Sequence, residues 1–345
     1  MDQTVGNTPL ISVVMPVYNA GVYVREAIES ILSQTCRDFE LIIINDGSTD
    51  DSIQYIRAFH DDRIVYVENP GNKGLIYTLN KGIELARGAY IARMDADDIC
   101  DPSRFEKQLR EFQKDPELVI CGSYIQTFGK REAKIDYMPS THAEIMASVF
   151  ISCPFAHPSV MLRKSALLDL EEIYRADYKH AEDYDLWSRL VFRGHTFNIP
   201  EFLLHYREHD KQVSTVFETV KYQTVGKIQR NLLNRLGLNP TEAELAIHLN
   251  IFKGISRQDM DYLKQNAAWF KKFHDAFMVQ FSAFSVKFNR ILASRWLKIG
   301  GNSGLGLKGL KFTLSQPFFS AKYVNFKDLI KIVYKSLTGY KQVEG

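Results

Sequence analysis

Ala89-Tyr90-Ile91-Ala92-Arg93-Met94-Asp95-Ala96-Asp97-Asp98 is the stretch whose reading decides the fold. Its first six residues form a short apolar run that predicts a strand, and the acids come at the carboxyl end of that run. Residues i and i+2 of an extended segment share a face, so Asp95 and Asp97 are expected to converge. Two carboxylates that close repel each other unless a cation lies between them. Hard divalent ions such as Mg²⁺ or Mn²⁺ take oxygen ligands, and the carboxyl ends of strands are where α/β sheets bind their ligands. The same acids also suit a solvated turn that caps the next helix, which Asp101-Pro102 announces.

Before this stretch, apolar runs alternate with helix-like segments. Leu10 to Val17, Phe39 to Asn45, Ile64 to Glu68 and Ala89 to Met94 read as strands. Between them, Val22 to Gln34, Asp50 to Phe59 and Leu75 to Ala86 read as helices. That alternation predicts an α/β domain with a mostly parallel sheet covered on both faces. After it, Arg104 to Lys114 reads as a helix, and Glu117 to Phe128 with Glu132 to Met138 as strands. A short helix over His142 to Val149 and a short strand over Ser159 to Leu162 follow. Glu182 to Arg193 is a helix ended by Gly194, and Thr196 to Pro200 and Phe202 to Arg207 are extended. Past about Thr215 the pattern turns helical, which places a domain boundary there: 1–215 and 216–345. The glycines from Gly300 to Gly309 predict a flexible break within the second part.

The 345 residues are 45% hydrophobic and 24% charged with a net charge of +2, which gives no reason to expect a nucleic-acid partner. Cys36, Cys100, Cys121 and Cys153 lie far apart, as expected of reduced thiols in a cytoplasmic protein. No secretory signal and no membrane span are expected from the sequence. The charge is uneven, however. From Val286 to Gly345 eleven basic residues face only Asp328 and Glu344, a net of +9, with nine aromatics interleaved. Such a tail suits either an anionic membrane surface or a helical segment packed on its own domain with lysines in water.

The loop Pro16-Val17-Tyr18-Asn19 lacks the glycines that hold a dinucleotide pyrophosphate, which argues against a nicotinamide or flavin enzyme. Asp46, in Asn45-Asp46-Gly47-Ser48-Thr49-Asp50, is placed either to accept a hydrogen bond from a base or ribose or to cap the following helix. Gly74, after Lys73, either lets the chain pass close to a ligand or starts a helix. Glu182 and Asp183 suit the positive end of a helix, and equally a general base. Trp187 reads first as core, with stacking on an acceptor sugar as the alternative, and His157 as cleft-lining or structural.

With His180-Ala181-Glu182-Asp183-Tyr184-Asp185-Leu186-Trp187 and Tyr206-Arg207-Glu208-His209, these segments resemble, in order and over residues 10–215, glycosyltransferase family two. The resemblance implies the GT-A fold, a Rossmann-like nucleotide-diphospho-sugar transferase domain, followed here by a mainly α-helical extension. It also implies an inverting transfer of sugar from a UDP-sugar, or another nucleotide-sugar, to a glycan or lipid-linked oligosaccharide in surface polysaccharide synthesis. Asp46 would then contact the base, with Pro16, Val17, Tyr18, Asn19, Lys73, Asp95 and Ala96 around the nucleotide. Asp97, Asp95 and His209 would hold Mn²⁺ or Mg²⁺, Arg207 would lie near the diphosphate, and the stretch after it would close over the nucleotide. Asp183, or Glu182 beside it, would be the base. A cytoplasmic protein, peripheral at the inner face of the plasma membrane, is the corresponding location. A pyrophosphorylase would carry a Gly-rich segment after the first strand, and a processive synthase a Gln-x-x-Arg-Trp motif; Leu292-Ala293-Ser294-Arg295-Trp296 lacks the Gln. A catalytically silent nucleotide- or sugar-binding module is the alternative from another class.

Overall fold

A computed structural model describes residues 8–130, 135–209, 218–253 and 258–338. It divides into two compact units, Met1–Ile145 with Cys153–Thr224, and Met146–Ser152 with Val225–Gly345.

The first unit is built on one sheet of nine strands: β1 (Ile11–Val17), β2 (Phe39–Asn45), β3 (Ile64–Glu68), β4 (Tyr90–Arg93), β5 (Ile99–Cys100), β6 (Leu118–Gly129), β7 (Ile135–Asp136), β8 (Met161–Arg163) and β9 (His195–Glu208). Their order is β3-β2-β1-β4-β8-β6-β9-β5, with β7 paired to β6. The aliphatic runs of β1 and β2 are buried along their whole length, as strands covered on both faces must be. Helices α1 (Tyr23–Leu32), α2 (Ser52–Arg57) and α3 (Leu75–Leu85) connect the first four strands, which are parallel as the alternation predicts. The rest of the sheet departs from that expectation. After the acidic stretch, β8 returns antiparallel to β4 and β6 antiparallel to β8, so the sheet is mixed.

Two further differences concern β9 and β5. The extended segments expected on either side of Glu201 are one strand parallel to β6, interrupted where Ile199 pairs with Ser123 and Phe202 with Tyr124. Pro200 has no N–H to give the ladder, and Pro200 and Glu201 are bulged out there. β5, two residues long, pairs antiparallel with β9 and ties the chain just after Asp98 to the strand that ends at Glu208.

Helix α4 (Arg104–Lys114) lays Phe105, Leu109 and Phe112 on the sheet and buries Arg104 completely. The guanidinium of Arg104 meets no carboxylate. It donates to the carbonyls of Arg93 at 3.0 Å and Val160 at 3.1 Å and to Gln108 Oε1 at 3.1 Å. A buried charge survives when its donors are filled, here by backbone dipoles at the end of β4. Helix α5 (His142–Val149) is divided between the units after Ile145, and α6 (Glu182–Leu190) belongs to the first.

Beyond α7 (Glu218–Arg235) come α8 (Glu242–Lys253), α9 (Met260–Phe281), α10 (Ser285–Asn302), α11 (Gly306–Leu314) and α12 (Phe326–Thr338). The second unit is cored by aromatics. Phe277 and Phe288 stack at 3.7 Å, and Phe270, Trp296 and Phe318 form a second group. Phe288, Trp296 and Phe318, all from the basic aromatic tail, are therefore core residues. His248 is buried there, its Nε2 2.8 Å from the carbonyl of Phe150 and its Nδ1 accepting from Trp269 Nε1; burial lowers its pKa to about 4, which leaves it neutral. The flexible break is only part of the truth. The chain does turn at Ser303–Leu305, but Gly300 and Gly301 are helical and buried. A Cβ on Gly300 would lie 2.0 Å from Thr313 Oγ1, and one on Gly301 2.6 Å from Ile332 Cγ2, so these glycines admit neighbouring helices.

Candidate active site

The order β2-β1-β4 reverses the direction of winding between β1 and β4, and a crevice opens beyond the carboxyl ends of such a pair. Tyr18 and Asn19 leave β1 there, and Asp95, Ala96, Asp97 and Asp98 leave β4. Pro16 and Val17 are buried within β1, while Tyr18 is half-exposed and Asn19 exposed. Asn19, at φ 50°, accepts from the backbone N–H of Thr49 at 2.8 Å, and its own N–H donates to Ser48 Oγ at 3.0 Å. It thus fastens the loops after β1 and β2 to one another.

Asp46 does not cap α2, whose N-cap is Asp51; the N–H of its first residue, Ser52, is met by Asp50 Oδ1 at 3.0 Å. Asp46 instead accepts from Asn69 Nδ2 and the N–H of Lys73 on one oxygen and from the N–H of Gly74 on the other, each at 2.8 Å. It shapes the turn that leads into α3, with Gly74 at φ +88° as the N-cap residue just before the helix. Gly47, at φ +74°, lets the two loops meet, since a Cβ there would lie 2.7 Å from Asn72 N. Lys73 enters this network by its main chain, and its side chain is exposed.

The acids converge, but by a different route from the expected one. β4 ends at Arg93, and residues 96–97 form a turn, which curls Asp98 inward as well. One oxygen from each of Asp95, Asp97 and Asp98 falls within 4.8 Å of the others. Burial, and after it the Asp95 carboxylate, raises the pKa of Asp97. Asp98 is pushed well above the usual carboxylate range by burial and by both neighbours. Its Oδ1 accepts from Arg207 N at 2.8 Å, whereas its Oδ2 is buried with no partner. Hard oxygens held together at the expense of their own ionisation fit a divalent cation of the Mg²⁺ or Mn²⁺ kind. His209 Nε2 lies 2.9 Å from Asp97 Oδ2, which adds an imidazole to the set.

Arg207 has a different task from contact with a diphosphate. Its Nε donates to Asp97 O at 2.7 Å, its Nη2 pairs with Glu26 Oε2, and its guanidinium lies 4.5 Å from the rings of Tyr23 and Phe128. It clamps the acidic turn from β9. Of the closing loop expected over residues 207–214, Arg207 and Glu208 belong to β9, and residues 210–214 lie outside the described residues.

His180, in the left-handed region at φ 67°, delivers the chain into α6, whose first two residues are Glu182 and Asp183. Burial, then the charge of Asp183, lifts Glu182 to about 7. Asp183 is raised by burial too, but it is the more exposed of the two. Its Oδ1 accepts from Tyr184 N at 2.7 Å, and its Oδ2 is 3.9 Å from Cys153 Sγ. Asp185, by contrast, is structural, paired with Arg175 and Arg189.

Two residues that sequence reasoning missed join the acidic groups. Arg93 is buried and pairs with Asp95, and its Nε and Nη1 have no partner. Its charge acts on Asp97 and Asp98 and also on Glu182 and Asp183. The phenol of Tyr174, raised by burial, senses Asp95, Glu182 and Asp183 together. The signal available in the sequence was the cation two residues ahead of Asp95 in an otherwise apolar strand. Tyr174 holds His157, its hydroxyl 2.9 Å from Nε2, and burial keeps His157 well below the usual imidazole range. Trp187 is fully buried, edge-on to Phe155 and His157, so it cannot stack on an acceptor sugar and belongs to the core.

The doubly wound half with acids at its switch point is continued by a mixed half, in which β8 runs antiparallel to β4 and β6 while β9 runs parallel to β6. Residues 12–170 match the family described as Glycosyl transferase family 2. An uncharacterized glycosyltransferase of Haemophilus influenzae is 35% identical over 249 residues, covering 68% of this chain and 77% of that protein. The chain belongs to glycosyl transferase family 2, and it is a glycosyltransferase that uses a nucleotide-sugar donor. Among solved structures, TarS 1–349 of S. aureus in complex with UDP-GlcNAc is similar at a TM-score of 0.54 and 14% identity, over 94% of this chain and 90% of that one. The mannosyltransferase PcManGT of Pyrobaculum calidifontis, in complex with GDP-Man and Mn²⁺, is similar at a TM-score of 0.52 and 16% identity, over 97% and 89%. Both bear on the fold, which is GT-A.

Proposed function

We propose that this glycosyltransferase is metal-dependent and inverting, and that it moves a sugar from a UDP-sugar to a hydroxyl of a glycan or lipid-linked oligosaccharide. The observation that carries the reading is the convergence of Asp95, Asp97 and Asp98 within 4.8 Å of one another beside the buried Arg93, which pairs with Asp95. Asp95, Asp97, Asp98 and His209 would hold the divalent cation, and Asp46, Tyr18 and Asn19 would line the nucleotide end. A divalent cation, when bound, supplies positive charge for the departing diphosphate. Asp183 takes the proton of the acceptor hydroxyl, being the more exposed acid of its pair. The acceptor oxygen bonds to the anomeric carbon as the bond from that carbon to the phosphate oxygen breaks, and an α-linked donor gives a β-linked product. General-base help of this kind contributes roughly 10²- to 10⁴-fold. The uridine of TarS supports the donor and the Mn²⁺ of PcManGT the metal. A growing surface glycan met at the inner leaflet is the acceptor most in keeping with the basic tail.

The test is UDP release from a panel of UDP-sugars with Mn²⁺ or with EDTA, in the wild type, Asp97→Ala and Asp183→Asn. Release that needs Mn²⁺ and is lost in both variants is expected. Unchanged turnover in EDTA would refute the metal, and full activity of Asp183→Asn together with loss in Glu182→Gln would exchange the two acids.

A further inference from the structure

Helix α12 has two apolar faces, and its own unit uses only one. Leu329, Ile332 and Val333 pack with Leu297 of α10 and Leu310 of α11. Phe326, Ile330, Tyr334 and Leu337, at spacings of four, four and three, form a second stripe that is 73, 52, 64 and 61% exposed. At about 100° per residue, Lys327, Lys331 and Lys335 fall on the far side of that stripe from the packed face. Lys327 and Lys331 are exposed, and Lys335 donates to Asn302 Oδ1 at 2.8 Å. Asp328 is the single acid of the described helix. Around its circumference the helix therefore runs from packed face to bare apolar stripe to a row of lysines.

We infer that this stripe docks on a bilayer containing anionic lipid, with α12 lying in the plane of the surface. Bare aromatic and aliphatic side chains beside a lysine row are what the boundary between acyl chains and headgroups accepts: the apolar residues dip below it and the ammonium groups meet lipid phosphates. Charge picks this occupant over an apolar protein groove, because the segment from Val286 onward carries +9. Thirteen residues extend about 20 Å, which is short of a bilayer core, and no helix among the described residues is long and apolar enough to cross a membrane. The neighbouring α11 has the same surface chemistry, with Leu307 and Leu314 exposed alongside Lys308 and Lys311. The inference rests on the proposed function only for why such a surface is useful to the enzyme, not for the binding itself.

The test uses the full chain and sedimentation with phosphatidylcholine vesicles, with and without phosphatidylglycerol. The wild type is expected to bind the mixed vesicles and to be released by salt. Phe326→Ser with Ile330→Ser lowers partition by roughly tenfold. Lys327→Glu with Lys331→Glu lowers it by roughly tenfold or more, but only on the phosphatidylglycerol vesicles. Both variants change exposed side chains and keep the wild-type circular dichroism and the wild-type UDP release in vesicle-free solution. That solution assay reads the proposed reaction separately, so either idea can fail alone. Wild-type protein that stays with the supernatant, or a serine variant that sediments as well as the wild type, would overturn the inference. A wild-type dimer that falls apart in the serine variant would overturn it too, by assigning the stripe to a second copy.

Discussion

Replacing Glu182 by Gln should make the protein more stable at neutral pH, by an amount that grows with pH. Glu182 is 6% exposed, and burial with the Asp183 charge raises its pKa from 4.5 to about 7. Between those values the unfolded chain has lost the proton while the folded one keeps it. Folding then takes up a proton, and stability falls as pH rises. The slope is about 1.4 kcal/mol per pH unit, so the interval from 4.5 to about 7 amounts to about 3 kcal/mol. Stability from this group is complete below the unfolded pKa and gone above the folded one. Gln keeps the volume and never ionises, so the variant escapes the loss. Urea denaturation of both proteins at about pH 5 and about pH 8 reads the difference directly. A gain in the variant that is the same at both pH values would refute the reasoning, since a change of packing alone carries no proton linkage.

Arg207→Ala removes the clamp on the acidic turn without touching a carboxylate, and it should weaken Mn²⁺ binding by roughly 10- to 100-fold by calorimetry; an unchanged affinity would leave Arg207 to the packing of Tyr23 and Phe128. Gly300→Ala forces a Cβ against Thr313 and should destabilise by about 1–3 kcal/mol in urea. Gly226→Ala, whose nearest neighbour would be Leu249 Cδ1 at 3.5 Å, is expected to stabilise by roughly 0.4–1 kcal/mol, and a loss as large as that of Gly300→Ala would remove the distinction. Asp46→Asn puts an NH₂ where main-chain N–H groups need an acceptor, and should cost about 1–3 kcal/mol and weaken UDP binding together.

The first two strands were legible because each is a run of buried aliphatics, as suits a parallel strand covered on both faces. The motif at Asp95 to Asp98 was legible as chemistry but not as geometry. Local pattern said strand, whereas Arg207 and His209, more than a hundred residues away, hold the acids in a turn. β5 escaped notice because two residues have no periodicity. The join of β9 across Pro200 was hidden because a proline normally ends a strand, and only the facing register of β6 shows the bulge. The glycines at 300 and 301 were misread for a related reason. Composition cannot tell a hinge from a close helix crossing, and the difference lies in Thr313 and Ile332. The role of Arg93 needed the third dimension, since the acids it acts on include Glu182, far along the chain from its neighbour Asp95.

The two buried arginines at the end of β4 bear on the order in which this enzyme is assembled. Arg104 holds the Arg93 carbonyl and Arg93 holds Asp95, so the acidic turn carries its own counter-charge. A site that relied on its ion for neutrality would collapse or spread when the ion left, and chelation would then unfold the region. Here the protein supplies a resident cation beside the acids. Removal of the proposed divalent ion is therefore expected to leave the fold intact, with the same melting temperature in EDTA.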